Sequence, residues 1–205
     1  PGDFSMDFAA ARRNMVESQI RPNQVIDPRL LEAMAEIPRE AFVPKTRQGV
    51  AYVDEAIADG DGRYMMEPMI LGRLLQTAAV TADAVVLDIG CGSGYSAAVL
   101  SRLASTVVAL ESDPALAALA TETLAGLDID TVAVVEGPLE DGYARQGPYD
   151  VVLLDGAVGA VPDVIRDQIA DGGRLVGIVA GGGVGKGTIL ANYGGVFSSR
   201  QVFDA

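Results

Sequence analysis

At 205 residues, 49% of them apolar, the chain can bury one domain-sized core. Its formal net charge of −13 repels phosphate backbones, so nucleic acid is not an expected partner. With no histidine and one cysteine, Cys91, it cannot build a zinc site of ordinary ligands, a histidine-dependent triad or an intrachain disulfide, and no metal is expected.

The first twenty residues mix Asp3, Asp7, Arg12, Arg13 and Glu17 without an apolar run. The apolar positions Phe8, Ala11, Met15 and Val16 predict a helix over 7–20, which Arg21-Pro22 ends. Asp27-Pro28 supplies an N-cap and a first-turn proline for a second helix through Leu30, Leu31 and Met34, stopped by Pro38. Residues 39–67 hold Pro44, Gly49, Gly60 and Gly62 and no sustained period, so they read as loop with short pieces of structure. Pro68 opens a third helix.

Beyond Thr81 short β-rich runs alternate with helical ones. Strands are expected at 84–88, 106–110, 131–135, 150–154 and 174–179, and helices at 95–103, 114–124 and 161–169. Apolar strands separated by helices imply a parallel sheet with helices on both faces. Two final strands, 188–193 and 196–203, follow a glycine-rich connection at 181–187. That connection imitates a phosphate loop, but Ala180 and Gly187 stand where the loop needs glycine and a hydroxyl. The longest apolar runs fall far short of the ~18 to 20 residues of a membrane helix. A cytoplasmic protein without membrane association is expected.

The informative segment is Val85-Val86-Leu87-Asp88-Ile89-Gly90-Cys91-Gly92-Ser93-Gly94, a buried strand turning into a helix start. Glycines there let the backbone turn sharply and approach a ligand beside helix N-terminal amides. A dinucleotide loop would place glycine or alanine where Tyr95 stands, so the spacing favours a smaller nucleoside. Glu111 closes the second strand twenty-three residues after Asp88, a distance at which a carboxylate accepts two hydrogen bonds from a ribose diol. Ser112 follows it, and Asp155 ends the run Tyr149-Asp150-Val151-Val152-Leu153-Leu154-Asp155 beside the same crevice.

With these residues in order, and with Leu30-Leu31-Glu32-Ala33-Met34, Pro38-Arg39-Glu40-Ala41-Phe42-Val43-Pro44 and Ala51-Tyr52-Val53-Asp54 ahead of them, the chain resembles the protein-L-isoaspartate O-methyltransferase family over nearly its whole length. The resemblance implies a Rossmann-like α/β fold: a seven-stranded, mostly parallel sheet with a C-terminal antiparallel hairpin. It also implies an N-terminal helical cap over 1–80 on a cofactor-binding core at 81–205, forming one compact unit. S-adenosyl-L-methionine is the implied cofactor, with Asp88, Gly90, Cys91, Gly92, Gly94, Tyr95, Glu111, Ser112, Gly137, Pro138, Leu139 and Asp155 around it. The implied acceptor is a carboxylate of damaged protein or a peptide.

Two departures stand out. Where the family has Thr-Ile-Ser-Gln-Pro, the matching stretch here is Gly62-Arg63-Tyr64-Met65-Met66-Glu67-Pro68, so Met66 replaces a serine hydroxyl. Where the family has Gly-Asp-Gly near the adenine, it has Gly137-Pro138-Leu139. An ionised carboxylate nucleophile needs no general base, so the missing histidine is no objection to carboxyl methylation. Tyr64, Met66 and Glu67 are the candidate catalytic residues. The alternatives are a methyltransferase with another acceptor, including a small molecule, or a cofactor-binding module without turnover.

Overall fold

The computed structural model describes residues 6–60 and 62–205. Residues 1–5 and Asp61 of the expected N-terminal unit lie outside the described residues. Helix α1 (Phe8–Met15) starts where Asp7 Oδ1 accepts the Ala10 amide at 2.9 Å. The expected helix over 7–20 has the right extent but changes pitch, continuing as a π-turn over Val16–Ile20 and a 3-10 turn over Arg21–Asn23. Pro22, lacking an N–H for the ladder, ends it. Helix α2 (Pro28–Glu36) is capped by Asp27, whose Oδ1 accepts the Arg29 amide at 2.9 Å.

The stretch expected as loop holds two 3-10 turns, Arg39–Phe42 and Lys45–Val50, and an antiparallel hairpin, β1 (Ile57–Gly60) with β2 (Arg63–Met65). Helix α3 (Pro68–Ala78) follows, its Met69 amide held by Asp54 Oδ1 at 3.2 Å.

The rest is β3 (Val85–Ile89), α4 (Tyr95–Ser101), β4 (Thr106–Glu111), α5 (Pro114–Gly126), β5 (Val132–Glu136), β6 (Tyr149–Val158), α6 (Asp163–Arg166), β7 (Ile169–Val179), β8 (Lys186–Tyr193) and β9 (Val196–Asp204). The strands form one sheet in the order β5-β4-β3-β6-β7-β8-β9. Pairs from β5 to β7 are parallel; β8 is antiparallel to both β7 and β9. The expected architecture is therefore present. The helix expected over 161–169 is cut to α6, because Ile169 is already paired with Tyr149 and starts β7. Among the described residues, no helix is long and apolar enough to cross a membrane.

Period-two alternation sorts the sheet into two faces. Val86, Val107, Ala109, Val151 and Leu153 pack on the face covered by α3, α4 and the N-terminal helices, while Leu87, Ile89, Val108, Leu110, Val152 and Leu154 pack on the other. Asp88 and Glu111 share the parity of the first set, so both carboxylates emerge beneath α4. Asp155 follows Leu154 in an irregular stretch of β6, where the pairing with β7 shifts register between Leu153 and Ala157. The chain builds outward from β3 through β4 to β5, then jumps back to place β6 on the other flank of β3. That reversal opens a crevice above the carboxyl ends of β3 and β6, where open α/β sheets take ligands.

Candidate active site

The glycine loop leaves β3 with φ of +83° at Gly90, +55° at Gly92 and +102° at Gly94. Those backbone angles disfavour any residue with a Cβ, and at Gly92 a Cβ would lie 2.7 Å from Asp59 Oδ2. The Gly90 amide reaches back to the Leu110 carbonyl at 2.8 Å, tying the loop to the end of β4.

Glu111 is the electrostatic centre of the crevice. Its side chain is fully buried, and its Oε1 accepts the Ser112 and Asp113 amides at 2.8 and 3.0 Å while Oε2 accepts the Gly92 amide at 2.8 Å. Both oxygens are also bound by Arg63, Nη1 to Oε1 at 2.5 Å and Nη2 to Oε2 at 2.7 Å. Burial alone would push the Glu111 carboxyl up, but Arg63 and these amides hold it below its ordinary value. From the same hairpin, Asp59 Oδ2 accepts the Ser93 amide at 2.8 Å.

Beneath the loop, Ser96 Oγ lies 2.6 Å from Asp88 Oδ2 and 2.6 Å from Asp155 Oδ2. Burial raises both acids, Asp88 well above its ordinary value and Asp155 to about 6. Arg39 is buried without any exposed surface; it donates to the Ala51 and Met66 carbonyls at 2.7 and 2.8 Å and stacks over the Tyr95 ring at 4.7 Å. It thereby anchors the exit of the hairpin to the core. Cys91 is buried, and desolvation raises its thiol well above the ordinary value, so it carries no nucleophilic chemistry.

The expected residues are brought together unevenly. Gly90, Cys91, Gly92, Tyr95, Met66 and Asp155 line an inner cavity of only about 10 Å³, closed by Asp59 and Tyr64. A cleft of about 470 Å³ opens beside it, lined among others by Arg63, Tyr64, Gly90, Leu139, Leu154 and Asp155. Leu139 approaches Gly90, with Cδ1 3.6 Å from where a Cβ would stand there. Gly94 packs on Ala120 of α5 instead of facing the cleft, and Gly137 donates its amide to the Glu111 carbonyl at 3.1 Å. Ser112 and Pro138 have exposed side chains, and Glu67 sits at the N-terminus of α3, lining neither cavity. Asp59 and Ser96 were missed by sequence reasoning, and Arg63 and Arg39 figured only inside matched motifs. The one available signal was a charged pair flanking Gly60 and Gly62 in an otherwise unremarkable turn.

The donor set fits an adenosyl nucleoside. Glu111 offers two acceptor oxygens, and the Ser93 hydroxyl and Tyr95 phenol are buried at the inner cavity without hydrogen-bond partners among the described residues. The fit requires Arg63 to leave Glu111, since a ribose diol and a guanidinium compete for the same lone pairs.

Residues 10–184 match the family model described as protein-L-isoaspartate(D-aspartate) O-methyltransferase. A protein-L-isoaspartate O-methyltransferase of a Synechococcus species is 43% identical over 86% of this chain and 72% of its own. One from Methanoregula boonei is 37% identical over 93% and 88%. Among solved structures, a protein-L-isoaspartate O-methyltransferase superposes with a TM-score of 0.83 at 23% identity, covering 95% of this chain and 64% of that one. A putative one from Plasmodium falciparum, crystallised with S-adenosyl-L-homocysteine, superposes at 0.81 with 16% identity, covering 95% of both chains.

Proposed function

Because the chain belongs to the protein-L-isoaspartate(D-aspartate) O-methyltransferase family, and is thus an S-adenosylmethionine-dependent methyltransferase, we propose that it esterifies the carboxylate of an isoaspartyl residue in damaged protein or peptide. The observation that carries this reading is the pairing of a glycine loop at the end of β3 with the buried Glu111 at the end of β4, on one face of the sheet.

Glu111 would hold the ribose diol once Arg63 has moved away, Gly90 and Gly92 would let the backbone approach the nucleoside closely, and the Ser93 amide would turn to it from Asp59 as the hairpin moves. Ser112 and Gly137 support Glu111 through their backbone. Leu139 and Leu154 wall the cleft where an adenine ring would stack, and Pro138 removes the acidic side chain that could have bonded the ring amine. When bound, S-adenosylmethionine supplies a methyl group on a sulfonium, and an in-line displacement by a carboxylate oxygen asks the protein chiefly for alignment. Tyr64, 63% exposed at the mouth, meets the peptide, and Met66 shapes the inner wall. Glu67 lines neither cavity, and its carbonyl starts α3 by accepting the Leu71 amide at 3.1 Å.

Residues 1–80 serve as the substrate-side cap and 81–205 as the cofactor core of one compact unit. Arg29 supports this by donating to the Val80 carbonyl at 3.1 Å and to the Leu103 carbonyl, as does the shared apolar core. A cytoplasmic setting and a protein acceptor in place of nucleic acid complete the reading, supported by the buried free Cys91 and the net charge of −13. Incubation with labelled cofactor and an isoaspartyl peptide should yield a base-labile methyl ester. Cofactor binding with transfer only to other acceptors would reject the isoaspartyl substrate.

A further inference from the structure

A serine hydroxyl carries one proton, yet Ser96 Oγ stands 2.6 Å from an oxygen of each of two acids. Two ionised carboxylates are both acceptors only, and one hydroxyl proton cannot occupy both contacts. One of the two acids therefore carries a proton, giving a chain Asp88–Ser96–Asp155 with two protons shared over three groups. Asp88 Oδ1 is buried without a partner among the described residues, as suits the sealed end of such a chain. The other end is open: Asp155 lines both the inner cavity and the cleft. Met66, where the family has its serine hydroxyl, lines the same inner cavity.

We propose that Asp155 donates its proton as a hydrogen bond to the acceptor carboxylate, replacing the hydroxyl that Met66 lacks, with Ser96 and Asp88 as positioning residues that keep that proton on the pair. The inference rests on the carboxylate reading above. An anion docking against Asp155 draws the shared proton to the outer acid, whose contact with Ser96 gives way as the Ser96 hydroxyl donates to the negative charge left on Asp88. The proton remains on the protein throughout. The bond formed joins the methyl carbon to an acceptor oxygen, the bond broken joins it to sulfur, and the sulfur keeps the electron pair. Donation needs the protonated form, and the groups that face Asp155 oppose each other. Asp59 from the hairpin and Asp88 favour the proton, whereas Arg39 from the first 3-10 turn, Arg63 from β2 and the Ser96 hydroxyl disfavour it.

The test compares native protein with Asp155→Asn and Asp155→Ala in esterification of an isoaspartyl peptide over a range of pH. Native kcat/KM should fall about tenfold per pH unit once the pair loses its proton. The Asn variant, whose amide donates without titrating, should be flat there and overtake the native protein at the alkaline end. The Ala variant should be about 10- to 100-fold slower where the native pair keeps its proton, through the peptide KM with kcat little changed, and should no longer trail the native protein at the alkaline end. In the cofactor-free protein, carbon NMR of labelled aspartates should show one proton retained on the pair near neutrality, and Ser96→Ala should uncouple the two titrations. Both acids ionised at neutral pH, or Asp155→Ala as active as native at every pH, would overturn the proposal while leaving the carboxylate reading intact. Cofactor binding without any ester from native protein at any pH would overturn both.

Discussion

The carboxyl edge of the sheet and the hairpin that covers it are built on opposite principles. Asp88 and Glu111 sit on strands paired on both sides, and their side chains are placed by the pleat itself. Asp59 and Arg63 belong to two strands of four and three residues that pair only with each other among the described residues. Ile57 and Met65 sink the base of the hairpin into the apolar core, whereas Asp59 and Arg63 are held over the crevice by polar contacts, a guanidinium on Glu111 and a carboxylate on the Ser93 amide. The edge is thus a fixed set of acceptors, while the hairpin supplies competitors for those same acceptors. A two-stranded piece without its own core is the element of this fold with least to lose by moving.

The strongest blow to that contrast is at Arg39, which fastens the hairpin's exit to the core. Arg39→Ala leaves the Ala51 and Met66 carbonyls buried without donors and opens a void against Tyr95. It should cost about 3 kcal/mol, seen as a melting temperature lower by about 10 °C. On the rigid side, Glu111→Gln removes the charged acceptor and should weaken S-adenosylhomocysteine binding about 100-fold by calorimetry, or about 2.7 kcal/mol. A much smaller loss would mean that the ribose lies elsewhere.

The pH dependence of the free protein tests the fixed acids. Asp88 and Asp155 have folded values raised above their unfolded ones, so their stabilising contribution is complete below about pH 4 and is lost as pH rises through the folded values, about 6 for Asp155. The melting temperature should fall by about 5 °C between acid and neutral pH, and Asp88→Asn should flatten that slope. A pH profile of Asp88→Asn parallel to the native one would contradict the shared proton, since Glu111, held below its ordinary value, contributes with the opposite sign to both.

The hairpin is probed more gently. Arg63→Ala takes away the competitor for Glu111 and should tighten S-adenosylhomocysteine binding about tenfold, allowing for the partly exposed ion pair. Weaker binding by this variant would show that Arg63 holds the cofactor instead of displacing it. Added salt screens the same pair and should tighten binding to the native protein by about threefold, an effect absent in the variant.

Much of the rigid side was legible in the residues. The alternation of Val86, Asp88, then Val107, Ala109, Glu111 puts both acids on one face, and the glycines of 90–94 mark where the backbone must turn. The helix expected over 161–169 stops at Arg166: its apolar spacing suits a helix, but the sheet takes Ile169 by pairing it with Tyr149. The short strands at 57–65 carry no alternation long enough to declare themselves; their pairing depends on what they cover.

Sequence alone determined the parallel sheet, the turn at Gly90 to Gly94 and the strand-end positions of Asp88 and Glu111, because strand parity and glycine geometry are local properties of the chain; Asp155, expected at a strand end, lies inside β6, which runs on to Val158. Only the tertiary structure decided that Arg63 reaches Glu111 across 48 positions and that one hydroxyl joins Asp88 to Asp155, 67 residues apart through Ser96. Such contacts are set by how helices and hairpin close over the sheet, and no spacing along the chain encodes a distance of 2.6 Å between groups that the fold alone makes neighbours.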